Sequence, residues 1–243
     1  MKDDHLSYER MDADPHEKKL FIRQLFDAVV PTYDVLNRVL SLGIDQTWRR
    51  AAIRNLSPLS GKRVIDLCCG TGDLSRLLRK RGAVTLSIDF SRKMILKGLN
   101  KKALSGLAAV ADASFLPYQN SFFNGAAIAF GIRNIPDIGP FLKEVRRVLA
   151  PGGRFVILEL VRPENPIVNS IYKVYLHGLL PLAGRLVSGD KTAYRYLAET
   201  IATFIDPADL SFLLTAYGFE DVRIHRKTFG IAAVISCKKG EPS

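Results

Sequence analysis

Apolar positions follow two rhythms along the 243-residue chain. From Leu20 to Leu56 they recur at helical spacing, as in Phe21, Leu25, Phe26 and Val29, and Pro31 breaks the pattern before a second helical stretch. At Arg63 the period changes. RVIDL is a short β-rich run, CCGTG a glycine turn, and DLSRLLRKRG carries leucines at helix spacing. The unit recurs as VTLSID then SRKMILKGLNKKA, as LAAVAD then a polar loop, as GAAIAF then PFLKEVRRVL, and finally as GGRFVILEL. Such alternation predicts an α/β fold with a mostly parallel sheet covered by helices on both faces. Residues Arg162 to Thr203 break the alternation, reading as mostly helical with prolines at 163, 166 and 181, and are expected to form an insertion or lid. PADLSFLLTAYGF then reads as a helix stopped near Gly218, and DVRIHRK and GIAAVISCK as two extended runs paired antiparallel at the sheet edge. No repeat or low-complexity linker divides the sequence, so residues 1–243 are expected to form one domain, with 1–60 a helical preface and 162–203 the insertion.

Composition narrows this picture. A hydrophobic content of 47% fills a sizeable core, and 35 Lys plus Arg against 24 Asp plus Glu, a formal +11, favours an anionic partner: nucleic acid, a membrane surface or a phosphorylated substrate. Three cysteines, two of them the adjacent Cys68 and Cys69, make neither a disulfide framework nor a zinc spacing, and the histidines are scattered. A reducing cytoplasm and no metal are the expectation. The charged N-terminal stretch MKDDHLSYERMDADPHEKK has no apolar core and reads as a mobile arm rather than a secretory signal. Lys173, His177, Pro181 and Arg185 interrupt the most apolar window, Ile167 to Val187, before it reaches the roughly 18 apolar residues of a membrane span.

The chemistry concentrates at strand ends. In VIDLCCGTGDLS, Asp66 closes the first strand, and Gly70, Thr71 and Gly72 form a turn whose backbone can approach a ligand at the next helix N-terminus. Asp89 ends the second strand 17 positions after Gly72, near the spacing at which a carboxylate grips a ribose. A dinucleotide fingerprint wants a third glycine or alanine where Ser75 stands, and an acid at Asp66 would repel a pyrophosphate while suiting a cationic ligand such as S-adenosylmethionine. Asp112 ends the third strand, where adenine would sit, and Ala113 follows it. GRLVSGDKT imitates a phosphate loop, but Asp190 stands between its second glycine and Lys191.

These residues resemble the class I methyltransferases and, within them, the menaquinone and ubiquinone biosynthesis C-methyltransferases. The resemblance rests on YDVLNRVLSLGIDQTW, VIDLCCGTGDLS, FGIRNIPD, RVLAPGGRFVILEL and SGDKTAYRYLAETI. The chain departs from the family pattern at Asp45 (usually histidine), Leu36 (methionine), Ala150 (lysine), and Val161 and Ala129 (both serine). The resemblance implies a Rossmann-like class I methyltransferase sheet, with Thr71, Asp89, Asp112 and Ala113 contacting S-adenosylmethionine. The implied reaction is transfer of its methyl group to a ring carbon of a reduced polyprenyl quinone, demethylmenaquinol first, with the ubiquinone-pathway benzoquinol as the alternative.

Arg133 and Asn134, after the fourth strand, are then candidates to hold the ring oxygens, arginine stabilising a developing phenolate. The plainer alternative pairs Arg133 with a structural carboxylate and lets Asn134 cap the next turn. Tyr33, Asp34 and Asn37 are candidates for the other pocket wall, Tyr33 and Asn37 sharing a helical face at i and i+4. A polyprenyl tail implies peripheral contact with an anionic membrane surface, made by the apolar helices around Ile167 to Val187; an oligomer is possible. Nucleic acid is not expected, since the fourth strand leads into GIRN rather than Pro-Pro-aromatic and no cysteine follows a proline. A cofactor-binding regulatory protein without catalysis is the remaining alternative.

Overall fold

The computed structural model describes residues 14–179 and 192–240. Three helices precede the sheet: α1 (Pro15–Val29), α2 (Tyr33–Leu40) and α3 (Asp45–Arg54). Pro15 stands in the first turn of α1, where a missing N–H costs nothing, so Pro15 to Lys19 are helical rather than part of a mobile arm. The rest of that arm lies outside the described residues.

The alternating units follow as β1 (Arg63–Leu67), α4 (Asp73–Lys80), β2 (Val84–Asp89), α5 (Arg92–Asn100), β3 (Ala108–Val110), β4 (Phe123–Ala129), α6 (Ile138–Val148) and β5 (Leu149–Leu160). After them come α7 (Pro166–Val174), a π-helical stretch Tyr175–Leu179, α8 (Thr192–Thr203), α9 (Pro207–Ala216), β6 (Phe219–Lys227) and β7 (Ala232–Lys239). The sheet order is β3-β2-β1-β4-β5-β7-β6, with β1 to β5 parallel and β7 antiparallel to both neighbours. The expected fold class is the observed one, β7 lying inside β6 rather than at the edge itself.

Strand alternation builds two cores. Ile65 and Leu67 pack with Phe141, Leu142, Leu210 and Leu214 on one face, while Val64 packs with Trp48, Ile53, Leu74 and Leu78 on the other. Burial on both faces explains the near-continuous apolar reading of these strands.

The insertion is helical where described, and its residues 180–191, including most of the phosphate-loop look-alike, lie outside the described part. Tyr172, Leu176, Ala198 and Ile201 form a separate small core against Leu160 and Ile231. Phe21, Ile22 and Leu25 pack on Tyr196, the Phe21 and Tyr196 rings meeting edge to face at 5.8 Å, so α1 and α8 support each other. No helix among the described residues is long and apolar enough to cross a membrane.

Candidate active site

β1 has β2 on one side and β4 on the other, so the strand order reverses at its carboxyl end, where open α/β sheets bind ligands. Gly72 caps α4 at φ +88, and a Cβ there would stand 2.6 Å from Leu104 Cδ2, so neither backbone nor space admits a larger residue. The Gly70 N–H donates to Asp89 Oδ2 at 2.8 Å and the Ser91 N–H to Asp89 Oδ1 at 2.9 Å, which fixes the carboxylate at the turn. Burial raises the Asp89 pKa from the ordinary 3.8 to about 6.

Gly70, Asp89, Asp112 and Ala113 line one cavity together with Tyr33, Phe130 and Asn134. Its acceptors and bare backbone suit an adenosine group: Asp89 keeps lone pairs beyond those used by the two N–H groups. α1 lies across the cavity. Lys19 Nζ stands 2.6 Å from Asp112 Oδ2 and the Ser91 hydroxyl donates to Asp27 Oδ1 at 2.5 Å. Burial alone would raise the Asp112 carboxyl, but Lys19 and the Ser114 N–H outweigh it and hold it below its ordinary value. The free space is only about 70 Å³. Ligand pockets run from about 300 Å³, and α1 narrows this one through Lys19, Ile22 and Phe26. Among the described residues, this cavity is lined by no residue of the insertion at 162–203.

Asp66, Thr71, Gly72 and Asp34 are not among the residues that line this cavity. Asp66 shares the α4 face of β1 with Val64, is 1% exposed, and accepts from the Ser75 hydroxyl behind the turn, away from the cavity wall. Thr71 donates to Asp34 Oδ1 at 2.5 Å, and Lys101 Nζ lies 2.8 Å from both Thr71 Oγ1 and Asp34 Oδ2. Because Tyr33 faces the cavity, Asp34, one position on, is turned about 100° away and ties α2 to the glycine turn.

Burial lifts the Asp66 pKa from 3.8 to about 7. The folded state thus holds a proton that the unfolded chain releases, and this group costs stability as pH rises between those two values. Asp66→Asn removes that cost. Its melting temperature is expected to exceed that of the wild type at about pH 8 by several degrees, the gap closing toward about pH 4; thermal scans at both pH values check this.

A second cavity, of about 820 Å³, adjoins the first through Phe26, Tyr33, Phe130 and Asn134, which line both. Its polar end is Arg133, Asn134, Tyr33 and Asn37, and its apolar walls come from α1, α7, α8 and the β6–β7 turn. Tyr33 and Asn37 do share one face of α2, and burial raises the Tyr33 hydroxyl pKa despite Arg49, Asn37 and Arg133. Arg133 and Asn134 sit on a 3-10 turn, Ile132–Asn134. Gly131 before it has φ −116, so its need for glycine is steric: a Cβ would stand 2.7 Å from Cys68 Cβ, where the ends of β1 and β4 meet.

Arg133 Nη1 donates to Glu159 Oε1, with side-chain exposures of 7% and 0%. The plainer alternative is thus realised for Arg133, but it does not exhaust the guanidinium, whose buried Nε has no hydrogen-bond partner among the described residues. Burial raises the Glu159 pKa and Arg133 opposes the rise. Asn134 Oδ1 accepts from the Tyr196 hydroxyl at 3.0 Å, a phenol that burial pushes up to about 12, while Asp137 caps α6. At the far wall Asp45, 2% exposed where the resembled family has histidine, accepts from Arg38, Ser41, Gln46 and Arg49.

Sequence reasoning missed Glu159, Lys19 and Tyr196. Glu159 had a signal: a lone carboxylate in the buried run RFVILEL requires a partner. His177 is exposed. Among the described residues no group of three or more His, Cys, Asp or Glu gathers for a metal.

The family model described as "ubiE/COQ5 methyltransferase family" matches residues 12–239. A demethylmenaquinone methyltransferase of Thermus thermophilus is 41% identical over 215 residues, 86% of this chain and 97% of that protein. The ubiquinone/menaquinone biosynthesis C-methyltransferase UbiE of Geotalea daltonii is 38% identical over 231 residues, 92% of this chain and 98% of that protein. Among solved structures, a SAM-dependent methyltransferase of Thermotoga maritima, a possible histamine N-methyltransferase, superposes with a TM-score of 0.64 at 19% identity, covering 89% of this chain and 99% of that one. At that identity the likeness shows the fold alone.

Proposed function

The chain belongs to the ubiE/COQ5 methyltransferase family, and from that premise we propose that it transfers a methyl group from S-adenosylmethionine to a ring carbon of a reduced polyprenyl quinone, demethylmenaquinol first. The observation that carries this reading is the junction of two unlike cavities, a small one holding Asp89 and Asp112 and a large apolar one with Arg133 and Asn134 at its inner end, across a shared wall. In this reading residues 1–243 act as one methyltransferase domain.

Asp89 holds the ribose, Asp112 and Ala113 border the base, and the Gly70 to Gly72 turn keeps side chains away from the donor. Thr71 and Asp66 support that turn from behind. S-adenosylmethionine supplies a methyl group on a sulfonium, reactive toward an electron-rich carbon. Arg133, with Asn134, orients the ring oxygens, and its unpartnered Nε donates to the oxygen on which negative charge develops. Glu159 holds Arg133 in place and leaves that donor available. Tyr33, with Asn37 behind it, borders both cavities and excludes water where the methyl crosses. The polyprenyl tail fills the apolar walls beyond. No metal enters this scheme, and none of it calls for nucleic acid. Because the tail resides in a bilayer, the reading carries peripheral contact with an anionic membrane at its cytoplasmic face.

The ring must be electron-rich, so turnover is expected only with the quinol. Incubation with labelled S-adenosylmethionine and demethylnaphthoquinone, with and without a reductant, tests this. Label in the lipid fraction only under reducing conditions supports the reading. Equal labelling of the oxidised quinone contradicts it, as does cofactor binding without transfer to naphthoquinol or benzoquinol.

A further inference from the structure

The mouth of the large cavity is edged by apolar side chains that the fold holds out of its core. Leu42 is 85% exposed, Phe229 81% and Ile171 66%, and all three line the cavity. Two of them stand on backbone that a bulky residue seldom adopts: Leu42 at φ +50, and Phe229 at φ +55 after Thr228 at φ +47. Both turns are tied down. The Gly43 N–H donates to the Arg38 carbonyl at 2.8 Å, and the Trp48 indole N–H donates to Thr228 Oγ1 at 2.8 Å. Strain kept in place by such ties points to a function for the side chains it presents.

Ile167, Ile171 and Val174 continue the apolar edge along α7 at i, i+4 and i+7, with Ile167 71% and Val174 70% exposed, while Tyr172 is buried on the other side. Gly230 joins the two parts, since a Cβ there would stand 3.5 Å from Pro163 Cα just before α7. Of the charges nearby among the described residues, Lys173 and Arg162 are exposed, and Glu164 shares Arg226 with Asp206.

We propose that Leu42, Ile167, Ile171, Val174 and Phe229 form a bilayer-docking rim that sinks into an anionic lipid surface and lets a polyprenyl tail enter the cavity without crossing water. The inference rests on the polyprenyl quinol reading. A lipid surface fits the rim because it stands around an opening, where acyl chains can follow it. The formal charge of +11 draws the chain to such a surface.

The test uses the full chain and the double variant Ile167→Asp/Val174→Asp, both positions lying outside the cavity wall. The wild type is expected to co-sediment with phosphatidylglycerol-containing vesicles and less with phosphatidylcholine alone, and the variant's partition to fall at least tenfold. Methyl transfer to a long-tailed demethylnaphthoquinol in those vesicles should fall similarly, while transfer to a tail-less, water-soluble quinol stays within twofold. Unchanged vesicle binding and vesicle turnover in a folded variant would overturn the proposal. A wild-type dimer that the same change dissociates, without vesicle binding, would overturn it in favour of a second copy. If the wild type methylates neither quinol, the functional reading fails, and the vesicle partition alone still decides whether this rim meets lipid.

Discussion

Replacement of Asp89 by alanine is expected to weaken binding of S-adenosylhomocysteine by roughly 100-fold or more and to remove methyl transfer at ordinary cofactor concentrations. Hydrogen bonds to a charged acceptor are worth about 1.5–3 kcal/mol each, and the cofactor's ribose offers two hydroxyls to this carboxylate. The change also strips the Gly70 and Ser91 N–H groups of their acceptor, so the turn loses its tether. A pH signature accompanies it. The acceptor is the ionised form, whose pKa burial raises to about 6, so wild-type affinity should fall as pH drops through that value. Titration calorimetry across this range checks both effects, and Asp89→Asn should bind weakly with a flat pH profile.

Arg133→Lys is expected to lower turnover by about 10²–10³-fold, the cost of losing one aimed donor to a developing anion, while cofactor affinity changes less than threefold. Lysine keeps the charge beside Glu159 but has neither Nε nor the planar fork. Arg133→Ala is a harsher change, because it leaves Glu159, 0% exposed, as an uncompensated buried acid, a loss on the order of 3–5 kcal/mol of stability. Arg133→Gln/Glu159→Gln removes both charges and separates the two effects. It should melt close to the wild type and remain as slow as Arg133→Lys. Thermal melts with single-turnover kinetics decide, and full turnover in Arg133→Lys would remove arginine from the proposed chemistry.

The fold was legible because short β-rich runs and helical runs alternate from Arg63 onward and glycine turns punctuate them. Of the candidate site, the residues that the structure brings to one cavity were legible where motif and strand end coincide, as at Gly70, Asp89 and Asp112. Asp66 lies away from the cavity wall because Val64 and Asp66 share a face of β1, and that face belongs to α4. Asp34 lies off the cavity walls for the helical counterpart of the same reason, about 100° around α2 from the cavity-facing Tyr33. The place of α1 over the small cavity was not legible, because α1 reads as an ordinary amphipathic helix; only tertiary packing brings Lys19 to Asp112. The Arg133–Glu159 pair joins a 3-10 turn to the end of β5, a juxtaposition set by the β4–β5 register, which local pattern does not encode. Phe229 and Leu42 gave no sign of exposure, because a single apolar residue in a turn reads the same whether it packs inward or stands out.

The central claim is that a methyl group reaches carbon, on a reduced quinone, in this chain's joined cavities. The most direct measurement is the position of the label after reaction of [methyl-¹³C]S-adenosylmethionine with a demethylnaphthoquinol under reducing conditions, read by carbon NMR of the extracted lipid. The account predicts a new aryl methyl on the ring, absent with Arg133→Lys at matched times. A labelled methoxy group, or no label in the lipid despite saturating cofactor binding, would contradict it.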